Sequence, residues 1–152
     1  MQIRQTNQEF NFDKYPTFEK DIDPKQRAWI EVKGKAIETN VRHLRSKLRK
    51  DCQFMAVVKA DGYGHDAKVV SEYAIKGGAS QLGVATLKEG IKLRSSGVNK
   101  PILVLGNLFT KKDLIIAFKN DLMPTISSLR ECLICNNIGK QFGFKFLSLI
   151  HI

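Results

Sequence analysis

Short apolar segments alternate with helix-patterned ones along most of this chain, and that alternation leaves few folds open. Apolar, β-rich segments fall at residues 53–59, 81–85, 101–105, 122–126 and 144–150. Each gap between them reads as a helix with its own start signal. Asp66 can cap a helix holding Ala67, Val70, Tyr73 and Ala74, which ends at Gly77-Gly78. Thr86-x-x-Glu89, Thr110-x-x-Asp113 and Ser128-x-x-Glu131 have the spacing of capping boxes, in which hydroxyl and carboxylate each satisfy a free amide at a helix start. The helices they open are expected to end at Gly97, beyond Phe118, and at Gly139.

The strand starts lie 20–28 residues apart, which suits βα units feeding a parallel sheet. Strands covered on both faces read as nearly continuous apolar runs, as Ile102-Leu103-Val104-Leu105 does. Periodicity does not separate a doubly wound open sheet from a barrel, but the first βα turn bears on the choice. A dinucleotide-binding sheet would carry Gly-x-Gly-x-x-Gly there, for a pyrophosphate at the helix start. The turn here is Lys59-Ala60-Asp61-Gly62-Tyr63-Gly64-His65, which lacks that fingerprint. A complete (β/α)8 barrel needs about 250 residues, so this chain has room for about five of the eight units. The expectation is an α/β fold, a partial (β/α)8 TIM barrel over 28–152, opened by one β-strand and preceded by a polar arm over 1–27.

Charge and cysteine content narrow the function classes. With 25 Lys and Arg against 15 Asp and Glu, the formal net charge is +10, a balance that raises the question of nucleic acid. The densest basic cluster, residues 42–50, shares its segment with Ile37, Val41, Leu44 and Leu48 at helical spacing. The charges therefore fall on the other face and toward the helix carboxyl end, where cations complement the dipole. No aromatic residues interleave with them, so a solvated helix face is the reading and no nucleic-acid partner is expected. Cys52, Cys132 and Cys135 are too few and too odd in number for a disulfide framework. Cys132-x-x-Cys135 lies inside an apolar helical pattern without a second Cys/His pair, and these thiols are expected to be buried, with no metal. No apolar run approaches the ~20 residues that span a bilayer, and the start lacks the pattern of a secretory signal. A cytoplasmic location and no membrane partner are expected.

Lys59 is the residue with the most chemical promise. Along an extended segment Met55, Val57 and Lys59 share one face while Ala56 and Val58 share the other. Lys59 would then end a buried strand on the side where βα barrels place catalytic groups. Burial disfavours the charged form of an amine, and neutral amine is what forms a Schiff base with a carbonyl. Gly62 and Gly64 would let the turn approach a ligand, and Tyr63 offers a phenol to a phosphate oxygen. The plainer alternative is a strand ending in a solvated lysine, followed by a glycine turn.

The complete string Ala56-Val57-Val58-Lys59-Ala60-Asp61-Gly62-Tyr63-Gly64-His65 resembles the pyridoxal 5′-phosphate attachment motif of alanine racemases. The resemblance continues in Ala28-Trp29-Ile30-Glu31-Val32, similar to the family's opening strand, in Leu82-Gly83-Val84-Ala85-Thr86-Leu87-Lys88-Glu89-Gly90, and in Pro101-Ile102-Leu103-Val104-Leu105-Gly106. It spans Gln26 to about Ser128. Gly62 stands where the family commonly has alanine, and Asp66 where it has glycine.

The resemblance implies interconversion of L- and D-alanine, for supply of D-alanine to peptidoglycan precursors, by a homodimer that uses pyridoxal 5′-phosphate. By the same correspondence Lys59 is the cofactor's attachment point and the base on one face of the substrate. Tyr63 would be a phosphate ligand, Val57 and Leu105 apolar neighbours of the cofactor, and His65 a helix-start residue rather than a proton carrier. Another amino-acid racemase of the family, or cofactor binding without racemisation, are the alternatives.

Beyond Ser128 the resemblance fades. The family's carboxylate-gripping arginine and its opposite-face tyrosine, which comes from the partner subunit, have no counterpart, so racemisation by these residues alone is not expected. The ending Leu147-Ser148-Leu149-Ile150-His151-Ile152 is also the in-frame translation of CTGTCTCTTATACACATC, a sequence like a sequencing-library adapter. A truncated gene is therefore expected, with a genuine apolar strand as the rival reading. Residues 28–33 should then lack strand partners, and the sheet should keep an open edge.

Overall fold

The computed structural model describes residues 30–143, 145 and 147–150. The polar arm over 1–27 and the first two residues of the expected opening strand lie outside them. Contacts divide the chain into the units Met1–Glu31 and Val32–Ile152, and the sheet with its helices belongs to the second.

That unit runs α1 (Gly34–Ser46), β1 (Met55–Val57), α2 (Lys59–Gly64), α3 (Ala67–Lys76), β2 (Gln81–Val84), α4 (Leu87–Ser95), β3 (Ile102–Asn107), α5 (Lys111–Lys119), β4 (Leu122–Ile126), α6 (Leu129–Phe142) and β5 (Leu149–Ile150). The five strands are all parallel and lie in sequence order. Crossovers between parallel strands are right-handed as a rule, and with the strands in sequence order such crossovers carry the connecting helices to one face. A doubly wound sheet would instead reverse at a switch point. The result is a curled half-barrel, the expected partial barrel.

Register separates the two faces of the sheet. Ala56, Leu82, Ile102 and Leu122 align across β1 to β4, and one residue on, Val57, Gly83, Leu103 and Met123 align in the same way. The first row faces the helices. Leu82, Val84, Ile102, Val104, Leu122 and Ile126 are buried together with Leu93, Leu114, Ala117, Cys135 and Ile138 from the helices. The second row lines the concave face, where Val57 remains 40% exposed.

The capping signals work as hydrogen bonds. The Asp66 carboxylate accepts from the Lys68 and Val69 amides, and the Thr86–Glu89 pair forms a complete box. Thr110 and Ser128 hydroxyls accept from the Asp113 and Glu131 amides. The carboxylates of those two pairs go elsewhere: Asp113 accepts the Thr110 hydroxyl, and Glu131 accepts from the amide and hydroxyl of Ser127.

Several boundaries differ from expectation. Residues 30–33 form no strand, Ile30 is 77% exposed, and α1 begins at Gly34. Of 53–59 only Met55–Val57 is strand, because the chain turns left-handed after Lys59. Of 144–150 only Leu149–Ile150 pairs, parallel to β4. Among the described residues β1 and β5 are the sheet's two edges.

Helix α6 passes through Gly139 because that residue is buried inside the helix packing, and it stops at Gly143, which takes the left-handed conformation (φ 72°) of a helix C-cap. On α1, Val41 is buried, but Leu44 is exposed and Leu48 falls beyond the helix end. The polar face is tied down locally: Glu38 is buried and pairs with Lys35 and Arg42, while Arg45 donates to the carbonyls of Arg49 and Lys50. Among the described residues no helix is long and apolar enough to cross a membrane.

The cysteines of α6 also divide. Cys135 is buried in the core, as expected, but Cys132 is exposed, and Cys52, before β1, is only half-buried. Burial pushes the Cys135 thiol up to about 11, with Cys132 and Glu131 adding smaller effects. The thiolate is the reacting form, so iodoacetamide at pH 8 should label Cys132 well before Cys135. Peptide mass mapping over time reads the order, and equal rates would contradict the packing of α6.

Candidate active site

The carboxyl ends of β1, β2 and β3 meet at one corner of the concave face. There Lys59 is half-buried and opens α2, following Val58, whose side chain is buried in the helix-side core. The Val58 amide donates to the Gly83 carbonyl at 2.7 Å, so the ladder continues up to the lysine even though the strand proper ends at Val57.

The backbone after Lys59 departs from the simple glycine turn that its composition suggests. Ala60, Asp61, Gly62 and Tyr63 all have positive φ, between 51° and 65°, so α2 is one turn of left-handed helix. That conformation costs about 1–2 kcal/mol for each of its three non-glycine residues. Such strain persists only where surrounding contacts over-determine it.

Those contacts are specific. The Gly62 amide donates to the Val58 carbonyl at 3.0 Å, and the Ala60 amide donates to Glu89 Oε1 at 2.8 Å. Asp61 Oδ1 accepts from the Ala67 amide at 3.3 Å and from Lys92 Nζ at 3.2 Å. His65 Nδ1 lies 3.1 Å from the Gly62 carbonyl and 3.0 Å from that of Tyr63, which occupies it with the turn, just ahead of the Asp66 cap.

Gly62 is needed for packing against protein rather than for approach to a ligand. It is buried, and a Cβ there would lie 2.8 Å from Val70 Cγ2. Gly64 faces open space. Asp66 itself has φ 65°, which accounts for glycine being at home in that position; here its two capping hydrogen bonds offset the strain.

The hydrogen bond from the Ala67 amide, helped by the Lys92 ammonium, holds the Asp61 carboxyl below the usual carboxylate range. A folded-state value below the unfolded one gives a stabilisation present above the ordinary range near pH 4 and lost as pH falls through the depressed value. The turn should therefore loosen only below about pH 4. The pH dependence of the Ala67 amide shift reads this, and Asp61→Asn should flatten it.

Val57 and Leu105 both lie against Gly83 of β2. A Cβ built on Gly83 would lie 3.3 Å from Met55 Sδ, 3.4 Å from Val57 Cγ2 and 3.6 Å from Leu105 Cδ1. Gly83 is buried, and Met55, Val57 and Leu105 pack over the place where its side chain would stand. Tyr63 is 59% exposed. Asp61 is engaged by Lys92, and among the described residues Lys59 Nζ has no ion-pair partner. An amine, apolar side chains and a phenol are the kinds of group that would hold a flat aromatic aldehyde bearing a phosphate.

Spacing did not reveal two parts of this corner: the left-handed turn and the reach of Glu89 across to it. Asp61-Gly62 carries turn composition, but nothing in it specifies the five successive positive φ values of Ala60 to Gly64. Glu89 read only as a capping residue.

Residues 32–151 match the family description "Alanine racemase, N-terminal domain". The chain is 53% identical over 131 residues to an alanine racemase of Prochlorococcus marinus, covering 86% of this chain and 33% of that protein. It is 46% identical over 112 residues to one of Nostoc sp., covering 74% and 29%. An alanine racemase of Clostridium difficile 630, solved in complex with cycloserine, superposes with a TM-score of 0.70 at 33% identity, covering 76% of this chain and 31% of that one. The chain thus spans about a third of the length of the relatives it matches. With the half-barrel, the lysine corner and these similarities in agreement, this chain belongs to the alanine racemase family through that family's N-terminal domain.

Proposed function

We propose that this chain carries the lysine half-site of a pyridoxal 5′-phosphate-dependent alanine racemase. The observation that carries the reading is the placement of Lys59 just past the carboxyl end of β1, on the edge of a parallel half-barrel, with Val57 and Leu105 packed together over Gly83 of the neighbouring strand. When bound, the cofactor supplies an electron sink for the pair left at the substrate Cα. The chain's own residues supply binding, orientation and one proton position. Lys59 Nζ would hold the cofactor and, when free of it, would take the Cα proton of D-alanine or, in the reverse direction, give a proton to that same face. The Tyr63 hydroxyl would donate to the cofactor's phosphate. Val57 and Leu105 would give the cofactor apolar neighbours, and exclusion of water there would strengthen electrostatic contacts.

Racemisation needs a second acid–base group on the other face of Cα and a cation for the substrate carboxylate. In this reading the second group is supplied across a homodimer interface of a cytoplasmic enzyme. The half-site alone should therefore bind the cofactor without converting D-alanine to L-alanine. Titration with pyridoxal 5′-phosphate, followed by chiral chromatography of D-alanine incubated with the loaded chain, tests both parts. Saturable binding at Lys59 supports the reading, and its absence overturns it.

A further inference from the structure

A capping box needs only one bond from its carboxylate, to the amide at the helix start, and Glu89 makes three. Its Oε2 accepts from the Thr86 amide at 3.0 Å and the Ala85 amide at 2.8 Å, at the end of β2. Its Oε1 accepts from the Ala60 amide at 2.8 Å, 29 residues away in the neighbouring βα turn. Asp113 and Glu131 occupy the same place in their own boxes, and their bonds stay within their own turn. The reach across is peculiar to the unit that adjoins Lys59.

We propose that Glu89 is a positioning residue for Lys59, which rests on the reading of Lys59 as the cofactor-bearing lysine. The amide that Glu89 holds belongs to the peptide bond immediately after Lys59. Fixing that peptide plane to the end of β2 fixes the direction in which Lys59 leaves the backbone. It also offsets the strain of the left-handed residues next in the chain. Reach and acceptor capacity are both required. Aspartate is one methylene shorter, and glutamine has a single acceptor oxygen, so its amide nitrogen must confront either the Ala60 donor or the Ala85 and Thr86 donors.

The test compares the unsubstituted chain with Glu89→Gln, Glu89→Asp and Thr86→Ala. The last removes the hydroxyl cap of α4 and leaves the bond to Ala60 in place. Two readouts are taken: hydrogen exchange at the Ala60 amide, and the dissociation constant of pyridoxal 5′-phosphate with borohydride trapping at Lys59. Both Glu89 variants should speed Ala60 exchange and weaken cofactor binding by about tenfold or more, as expected for a lost charge-assisted hydrogen bond. Thr86→Ala should do neither. Unchanged Ala60 exchange in Glu89→Gln, or Thr86→Ala reproducing both effects, overturns the proposal. If the unsubstituted chain fails to take up the cofactor while Ala60 exchange still depends on Glu89, the cofactor reading falls and the link from Glu89 to the lysine turn stands.

Discussion

Lys59→Ala should abolish saturable binding of pyridoxal 5′-phosphate while leaving the fold intact. The lysine is half-buried, outside the helix-side core, and among the described residues without an ion-pair partner. Substitutions at such positions change stability by about 0.5 kcal/mol. Covalent attachment, by contrast, has no substitute among the other residues assigned to the site. Val57, Gly83 and Leu105 offer only apolar surface, and Tyr63 only a phenol. A ligand at a hundredfold its dissociation constant stabilises its binder by about 2.7 kcal/mol. The unsubstituted chain should therefore melt several degrees higher with saturating cofactor, and Lys59→Ala should show no such shift. A shift that survives the substitution would move the binding site elsewhere.

Leu82→Ala should have the largest effect on stability without touching the lysine corner directly. Leu82 is fully buried on the helix side of β2, aligned with Ala56 and Ile102 in the neighbouring strands. Removing its branched end leaves a cavity that close-packed neighbours fill only in part, at a cost of about 2–5 kcal/mol. Against a typical total of about 5–15 kcal/mol, that is enough to lower the urea midpoint sharply. Val57→Ala is the contrast. Its residue lies one register position on, on the concave face, and is already 40% exposed. It should change the midpoint little and weaken cofactor binding. Equal losses from both would mean that the two faces of β1 and β2 are not distinguished as the register requires.

The fold was legible where local rules and global architecture agree. Strand–helix alternation with Asp66, Thr86, Thr110 and Ser128 as caps gave the order of elements, because each cap satisfies amides that any helix start leaves free. Boundaries were less legible where tertiary packing decides them. Gly139 resembles a stop until its burial inside α6 is seen, and Leu44 reads as core although α1 leaves it in solvent. At the lysine corner, the family resemblance named Val57 and Leu105 together, and both lie against Gly83. Alternation did not predict that Lys59 would open a left-handed turn, since that conformation is unfavourable for Ala60, Asp61 and Tyr63 taken singly. The Glu89 bridge that supports it spans 29 residues, beyond any local pattern.

Borohydride reduction of the chain with pyridoxal 5′-phosphate, followed by peptide mapping, tests the central claim most directly. The account predicts one adduct per chain, on the peptide containing Lys59. Adducts spread over exposed lysines such as Lys47, Lys50, Lys111 and Lys112, in proportion to their exposure and with no preference for Lys59, would contradict it.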